Sequence, residues 1–372
     1  MRKRRFSRSN VVRGQSEACP RHPLETPKLT PRDSQADTLR LSYSGALQFF
    51  YSHTVPLVGI EAIRAAQGLI AGQVHRTPVF SSRSLSEATG LDIVLKAENL
   101  QKTGSFKPRG ALVHLAHLSE AEKRPGVITV SAGNHAQGLA YAARVHGIAC
   151  TVVMPAAANP RKAQAARAYG AEVVQFGNIS EIFDHCRRIQ EQRGLTFVHP
   201  FDHPDIIAGQ GTVGLELVEQ APDLDAVVVP IGGGGLIAGI AAAVRALSPK
   251  AKVYGVEPEG AAAMRRSLDA GKPVHLEKTE TMADGLAAPF AGENTFEHVR
   301  DLVQDVVLVT ETAIAEALLF ILERAKLVVE PAGAAGVAAL LSKALPLAPG
   351  NRVAVVLSGG NLDPARLRQL LA

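Results

Sequence analysis

Ala226-Val227-Val228-Val229-Pro230-Ile231-Gly232-Gly233-Gly234-Gly235-Leu236 is the stretch on which the fold of this 372-residue chain turns. An unbroken apolar run is the mark of a strand buried on both faces. Four consecutive glycines follow, and then an Ala-rich segment of helix length, Leu236–Leu247. Glycines in that place let backbone N–H groups approach an anion, and the start of a helix adds positive potential. No Gly-Lys-Ser/Thr follows, so this is not a P-loop. The dinucleotide fingerprint counted from Gly232 would need glycine at 237, where Ile237 stands. Glu257 ends the next strand-like run, as a ribose-binding acid would, and this keeps a nucleotide-binding dehydrogenase as a rival reading. A plain turn explains one or two glycines better than four.

The same alternation extends outward from about Leu57. Strand-like runs are Asp92–Lys96, Gly126–Val130, Cys150–Met154, Glu172–Phe176, Thr196–His199, Ala226–Ile231, Lys252–Val256, Val306–Val309 and Val353–Leu357. Helix-length segments lie between most of them, among them Asn134–His146, Pro160–Tyr169, Ile182–Arg193, Ile314–Leu327 and Ala334–Leu345. This pattern predicts an α/β protein with two doubly wound, mostly parallel sheets. Ligands of such sheets bind beyond the C-terminal strand ends.

Three more motifs stand after strands. Ser105-Phe106-Lys107-Pro108-Arg109-Gly110-Ala111 opens a helix, with Ser105 as the expected N-cap and Pro108 in the first turn. Lys107 then meets the positive end of a helix dipole, a conflict that a neutral or imine-bound lysine avoids. Taken alone, a solvated surface lysine is the commoner case. Ser131-Ala132-Gly133-Asn134-His135 is a small-residue loop suited to a carboxylate or phosphate, or an ordinary turn with Ser or Asn as cap. Ser358-Gly359-Gly360-Asn361 puts a hydroxyl at the end of the last strand-like run, or simply makes a turn.

Together and in this order the motifs resemble the fold type II pyridoxal-phosphate enzymes of the tryptophan synthase β-like class. Within these the chain is similar to the threonine ammonia-lyases (threonine dehydratases) and to serine racemase. Ile207-Ala208-Gly209-Gln210-Gly211-Thr212, Ala283-Asp284-Gly285 and Glu330-Pro331-Ala332-Gly333 also match, and the resemblance covers about residues 57–367. It implies pyridoxal 5'-phosphate as cofactor, held as a Schiff base on Lys107 with Phe106 beside the ring. Asn134 would bond the phenolic oxygen, Gly232, Gly233, Gly234, Gly235 and Leu236 the phosphate, and Ser358 the pyridine nitrogen. Ser131, Gly133, His135 and Asp284 would face the substrate. The freed Lys107 amine would remove the Cα proton, and the β-hydroxyl would leave as water. L-Threonine would give 2-oxobutanoate and ammonia, and L-serine would give pyruvate.

Two positions depart from the pattern. Racemases of the group carry a serine where Ala132 stands, so elimination is expected over racemisation. The group's cation site maps onto Glu257 and Ala261, but its third position falls on Ala263, which leaves only a doubtful cation site. The resemblance also implies a large cofactor-binding domain over 56–100 and 197–372 and a small mobile domain over 101–196. Within the resemblance, the short, catabolic-like form is expected, and not the form with the regulatory domain of biosynthetic threonine dehydratases.

Composition narrows the alternatives. The net charge of +5 hints at an anionic partner, but residues 1–55 hold ten Lys/Arg and four Asp/Glu, so the rest carries a net −1. That basic segment lacks a stable period and is expected to be a disordered extension. Arg4-Arg5-Phe6 is not followed by the apolar core of an export signal. No apolar run reaches the roughly 18 residues of a membrane span. Trp is absent and aromatics are few, against a stacking nucleic-acid binder. Three cysteines without close spacing fit a reduced, cytoplasmic protein. The expected partners are therefore a small amino-acid substrate and further copies of the chain, as a dimer or tetramer, with no nucleic acid and no membrane. An amino-acid racemase is the main alternative, and a non-catalytic binding protein the distant one.

Overall fold

A computed structural model of the protein describes residues 56–178 and 181–371. The expected disordered segment, 1–55, lies outside the described residues.

Among the described residues, ten strands form two sheets. They are β1 Val79–Ser81, β2 Asp92–Lys96, β3 Val127–Val130, β4 Cys150–Met154, β5 Glu172–Gln175, β6 Thr196–Phe197, β7 Ala226–Pro230, β8 Lys252–Pro258, β9 Asp305–Val309 and β10 Arg352–Val356. The larger sheet has the order β1-β2-β10-β7-β8-β9 and the smaller one β5-β4-β3-β6. Every pairing is parallel except that of β1 with β2.

The apolar strands are covered on both faces, as their composition demands. Val227 and Val229 of β7 pack with Ile237 and Ile240 of the helix Gly235–Leu247. Val228, one residue out of phase, packs on the opposite side with Ala334 and Ala338 of the helix Pro331–Leu341. The smaller sheet repeats the scheme, with Val152 against Leu139 on one face and Val153 against Ile182 on the other.

Each sheet has one point where the strand order reverses. In the larger sheet it lies between β7 and β10, in the smaller one between β3 and β6. Four loops therefore leave the C-terminal ends at these crevices: Gly232–Gly235, the loop from Ser358, the loop from Ser131 and the loop from His199. That is where an open α/β sheet binds its ligand.

Several local expectations are corrected. The helix after β2 runs Pro108–His117, with Lys107 rather than Ser105 at its cap. Ser105 instead forms an isolated bridge with Gly359. The stretch expected as one helix over Ile314–Leu327 is a regular helix to Phe320 and then a π turn, Ile321–Ala325. Strand β6 stops at Phe197, and the N–H groups of Phe201 and Asp202 fold back onto His199 Nδ1. The short edge strand β1 was not expected, because three residues carry too little periodicity to register. Among the described residues, no helix is long and apolar enough to cross a membrane.

Candidate active site

Lys107 sits at the cap of the helix Pro108–His117 and its Nζ donates to the carbonyl of Pro200 at 2.9 Å. The residue is partly exposed, but its ammonium is enclosed by protein. It lies 5.1 Å from the centre of the Phe106 ring. A Cβ on Gly138 would come within 2.8 Å of Lys107 Cβ, so glycine there lets the helix Asn134–His146 press against it. Burial lowers the Lys107 pKa to about 8, and the Glu330 carboxylate only partly opposes that. A minor share of the amine is therefore unprotonated at pH 7, and about half at pH 8.

The loops of the smaller sheet meet those of the larger one at Asn134. Its Nδ2 donates to Glu330 Oε1 at 2.5 Å, and its Oδ1 accepts from Asn361 Nδ2 at 2.8 Å. Burial pushes the Glu330 carboxyl above its ordinary range, and the Asn134 amide pulls it back. Ser131 Oγ accepts the N–H groups of Gly133 and Ala136, each at 3.2 Å, so it caps the Asn134 helix as an ordinary turn would. Its own O–H remains to donate. His135 is buried, and its Nε2 has no partner. Burial, with Lys107 and His199 adding repulsion, holds its pKa well below the usual value, so the ring is neutral.

The tetraglycine loop enters the helix Gly235–Leu247. A Cβ on Gly233 would lie 2.3 Å from the Phe201 ring, and Gly234 has φ +95°, so neither position accepts a side chain without strain. Thr295 Oγ1 donates to the Gly233 carbonyl at 2.7 Å, which satisfies that acceptor within the protein. The first N–H groups of the helix have no partner within it, which leaves them for an anion. Leu236 is buried at the entry. Ser358 is 4% exposed, and its carbonyl accepts the Phe106 N–H at 3.2 Å. The strand end of β10 thereby holds the segment that carries Lys107.

These features suit pyridoxal phosphate on structural grounds. A bare-backbone cradle awaits a phosphate, an enclosed amine of lowered pKa awaits an aldehyde, and a second βα loop faces both. Pro200 and Phe201 join the parts, since one receives Lys107 Nζ and the other packs against Gly233.

Asp284 shares a cleft with Glu330 and Asn361, while Glu257 makes its bonds elsewhere. The Asp284 side chain is 66% exposed and pairs with Lys162 at 2.8 Å. The pair lines a cleft of about 250 Å³ together with Asn159, Glu330, Asn361 and Arg366. Glu257, the doubtful cation ligand, accepts the N–H groups of Met264 and Arg265, both at 2.8 Å, at the start of the helix Ala263–Ala270. Burial raises its pKa to about 7. Ala261 is buried beside it. Among the described residues, the His/Cys/Asp/Glu group that gathers three possible ligand atoms does not include Glu257.

The model of the family described as pyridoxal-phosphate dependent enzyme matches residues 70–359. This chain belongs to that family. Among similar proteins, an L-threonine ammonia-lyase of Thermotoga maritima is 50% identical over 308 residues, 82% of this chain and 76% of that protein. An L-threo-3-hydroxyaspartate ammonia-lyase of a Pseudomonas species is 44% identical over 84% of this chain and 97% of its own length. The solved structure of maize serine racemase matches with a TM-score of 0.81 and 40% identity, over 85% of this chain and 97% of that one. The fold is thus that of fold type II pyridoxal-phosphate enzymes, as the motifs implied.

Sequence reading passed over several residues that this pyridoxal-phosphate enzyme brings to the site. Glu330 was noted in Glu330-Pro331-Ala332-Gly333 but given no task. Asn361 closes the Ser358 motif and holds Asn134. Pro200 acts through its carbonyl, which leaves no trace in residue type.

Proposed function

We propose that this pyridoxal-phosphate enzyme deaminates L-threonine to 2-oxobutanoate and ammonia, and L-serine to pyruvate, by removing the Cα proton and expelling the β-hydroxyl. The placement of Lys107 Nζ is the observation that carries this reading: it lies 2.9 Å from the Pro200 carbonyl, next to Phe201, which packs on the tetraglycine loop. The enclosed amine gives the chain a base that sheds its proton far more readily than an ordinary lysine, increasingly so as the pH approaches 8. Close relatives named threonine ammonia-lyase support it.

Bound pyridoxal phosphate supplies a covalent anchor for the amino group and a sink for the electrons left at Cα. Lys107 Nζ anchors the cofactor and takes the Cα proton. The N–H groups of Gly233 to Leu236 hold the phosphate. Asn134 has a second amide hydrogen for the ring's phenolic oxygen, and Ser358 offers a hydroxyl to the ring nitrogen. The Ser358 hydroxyl would not keep that nitrogen protonated as a carboxylate would, which would favour loss of the β-hydroxyl over return of a proton to Cα. The substrate carboxylate docks at the start of the Asn134 helix, on the Ser131 hydroxyl and the free backbone donors.

A racemase is the second reading, favoured by the close match to maize serine racemase. It needs an acid on the ring face away from lysine, and Ala132 has only a methyl group to offer there. The holoenzyme with L-serine should form pyruvate with little D-serine, and Ala132→Ser should raise the share of D-serine by a few-fold. The rise is limited because a donor also needs a network to return its proton. D-Serine forming as fast as pyruvate in the unsubstituted protein would favour the racemase.

A further inference from the structure

The helix Pro108–His117 and the helix Pro204–Gln220 touch backbone to backbone at two glycines. A Cβ on Gly209 would lie 2.5 Å from Gly110 Cα, and one on Gly110 would lie 2.8 Å from the Ile206 carbonyl. One turn further along each helix, in opposite directions, stand His114 and Asp205, so the helices are antiparallel at this point. His114 Nδ1 is 3.1 Å from Asp205 Oδ2, and His203 Nδ1 is 3.5 Å from the same oxygen. The rings of His114 and His203 meet edge to face, 4.2 Å between centroids. One possible ligand atom from each of the three residues lies within 4.8 Å of the others.

Zinc bound by imidazole and carboxylate at its usual bond lengths separates neighbouring tetrahedral ligand atoms by about 3.3 Å. The His114–Asp205 separation is close to that value before any ion is added, whereas His203 Nδ1 also accepts the Asp205 backbone N–H at 3.2 Å as the cap of the helix, a bond that an ion on this nitrogen would replace. His117 stands outside this set and fixes the carboxylate, with Nδ1 2.7 Å from the other oxygen, Asp205 Oδ1. The side chains of His114 and Asp205 are 9% and 21% exposed, while His203 at 41% and His117 at 50% leave the cluster open to solvent on one side. Two ligands are carried on helices locked together by the glycine contact, so the geometry does not have to be made when an ion arrives.

We propose that His114, His203 and Asp205 bind a divalent ion of the zinc class, with water as a fourth ligand and His117 orienting the carboxylate. The ligand set, two imidazoles and one carboxylate, suits zinc or cobalt and is poor for magnesium or calcium, which prefer oxygen ligands. Such an ion would clamp two segments that Lys107 Nζ also joins. One helix starts immediately after Lys107, and the other starts four residues after Pro200.

The test is zinc titration of the holoenzyme, stripped with chelator and held reduced, with the retained metal counted after desalting. One equivalent per chain should remain, and the melting temperature should rise with added zinc. His203→Asn keeps a side chain that can cap the helix and removes the imidazole, and His114→Gln removes the other. Each should weaken zinc binding at least about tenfold while cofactor content stays as in the parent protein. His117→Gln should weaken it less. Cobalt in place of zinc should give the strong visible bands of a four- or five-coordinate ion. No retained equivalent, the weak spectrum of a six-coordinate cobalt ion, or parental affinity in either His203→Asn or His114→Gln would overturn the proposal and leave a hydrogen-bonded cluster at a helix start.

Discussion

Lys107 and Arg109 are two residues apart at the start of one helix, and protein encloses both cationic groups, but their surroundings are opposite in kind. The Arg109 guanidinium, 0% exposed, bonds Glu98 through Nε and Nη2 and Glu216 through Nη1 and Nη2, at 2.7–2.9 Å. Thr212 Oγ1 takes the remaining Nη1 hydrogen, and the His75 carbonyl shares the Nη2 hydrogens with the two carboxylates. Lys96, also buried, bonds Glu216 at 2.6 Å, so two cations face two carboxylates. Burial works against the Arg109 charge, but Glu98 and Glu216 outweigh it and raise its pKa above the ordinary value. Around Lys107 the compensation is incomplete. One neutral carbonyl accepts its proton, and the carboxylate that acts on it, Glu330, is itself biased by burial towards the neutral form. A balanced network fixes a charge as structure; an underbalanced one leaves an amine ready to give up its proton and react.

The contrast breaks most visibly at Lys107. Lys107→Met should cut turnover at least about 10³-fold, since it removes both the anchor and the base. It should nevertheless leave the cofactor-free protein as stable as its parent or more so at pH 7, by thermal melting. The folded pKa of about 8 lies below the ordinary 10.5, so the unfolded chain holds more protons between those values. Stability of the parent therefore rises with pH across that window, and the advantage of Lys107→Met should shrink there. A large loss of stability in this variant would show that Lys107 belongs with Arg109.

Arg109→Met should do the reverse. It leaves Glu98 and Glu216 buried without their main partner, which costs about 3–5 kcal/mol in denaturant titration. Arg109→Lys should recover little, because one ammonium cannot serve two carboxylates in fork geometry. A loss under about 1 kcal/mol would mean that the network relaxes and does not hold the helix start.

A smaller effect sharpens the role of Glu330. Its carboxylate raises the Lys107 pKa against burial, so Glu330→Gln should lower that pKa below about 8. Capture of pyridoxal phosphate by the cofactor-free protein needs the neutral amine, so its rate should rise through about pH 8 in the parent and at lower pH in this variant. An unchanged midpoint would show that Glu330 does not reach Lys107 electrostatically.

How much of this was legible in the sequence differed between the two regions. The tetraglycine loop, Lys107 and the Asn134 loop follow strands, and their residue types announce backbone approach, an amine and a helix start. The larger topology followed from non-alternating apolar runs such as Val227–Val229. The Arg109 network was not legible, because Lys96, Glu98, Arg109 and Glu216 look like surface residues until the packing of the strand β2 against the helix Pro204–Gln220 encloses them. Pro200 was missed because its contribution is a carbonyl. Ser105 was misjudged as a cap because its bridge to Gly359 spans more of the chain than local propensity can register.

The central claim is that Lys107 is the lysine that carries the cofactor. Borohydride reduction of the holoenzyme, followed by proteolysis and peptide mass mapping, addresses it directly. The account predicts that the reduced cofactor's mass is found on the peptide containing Lys107, in near-stoichiometric yield, with loss of the visible absorption band. Cofactor mass on Lys96, Lys162 or any other lysine, or none on Lys107 in a protein that retains its cofactor, would contradict it.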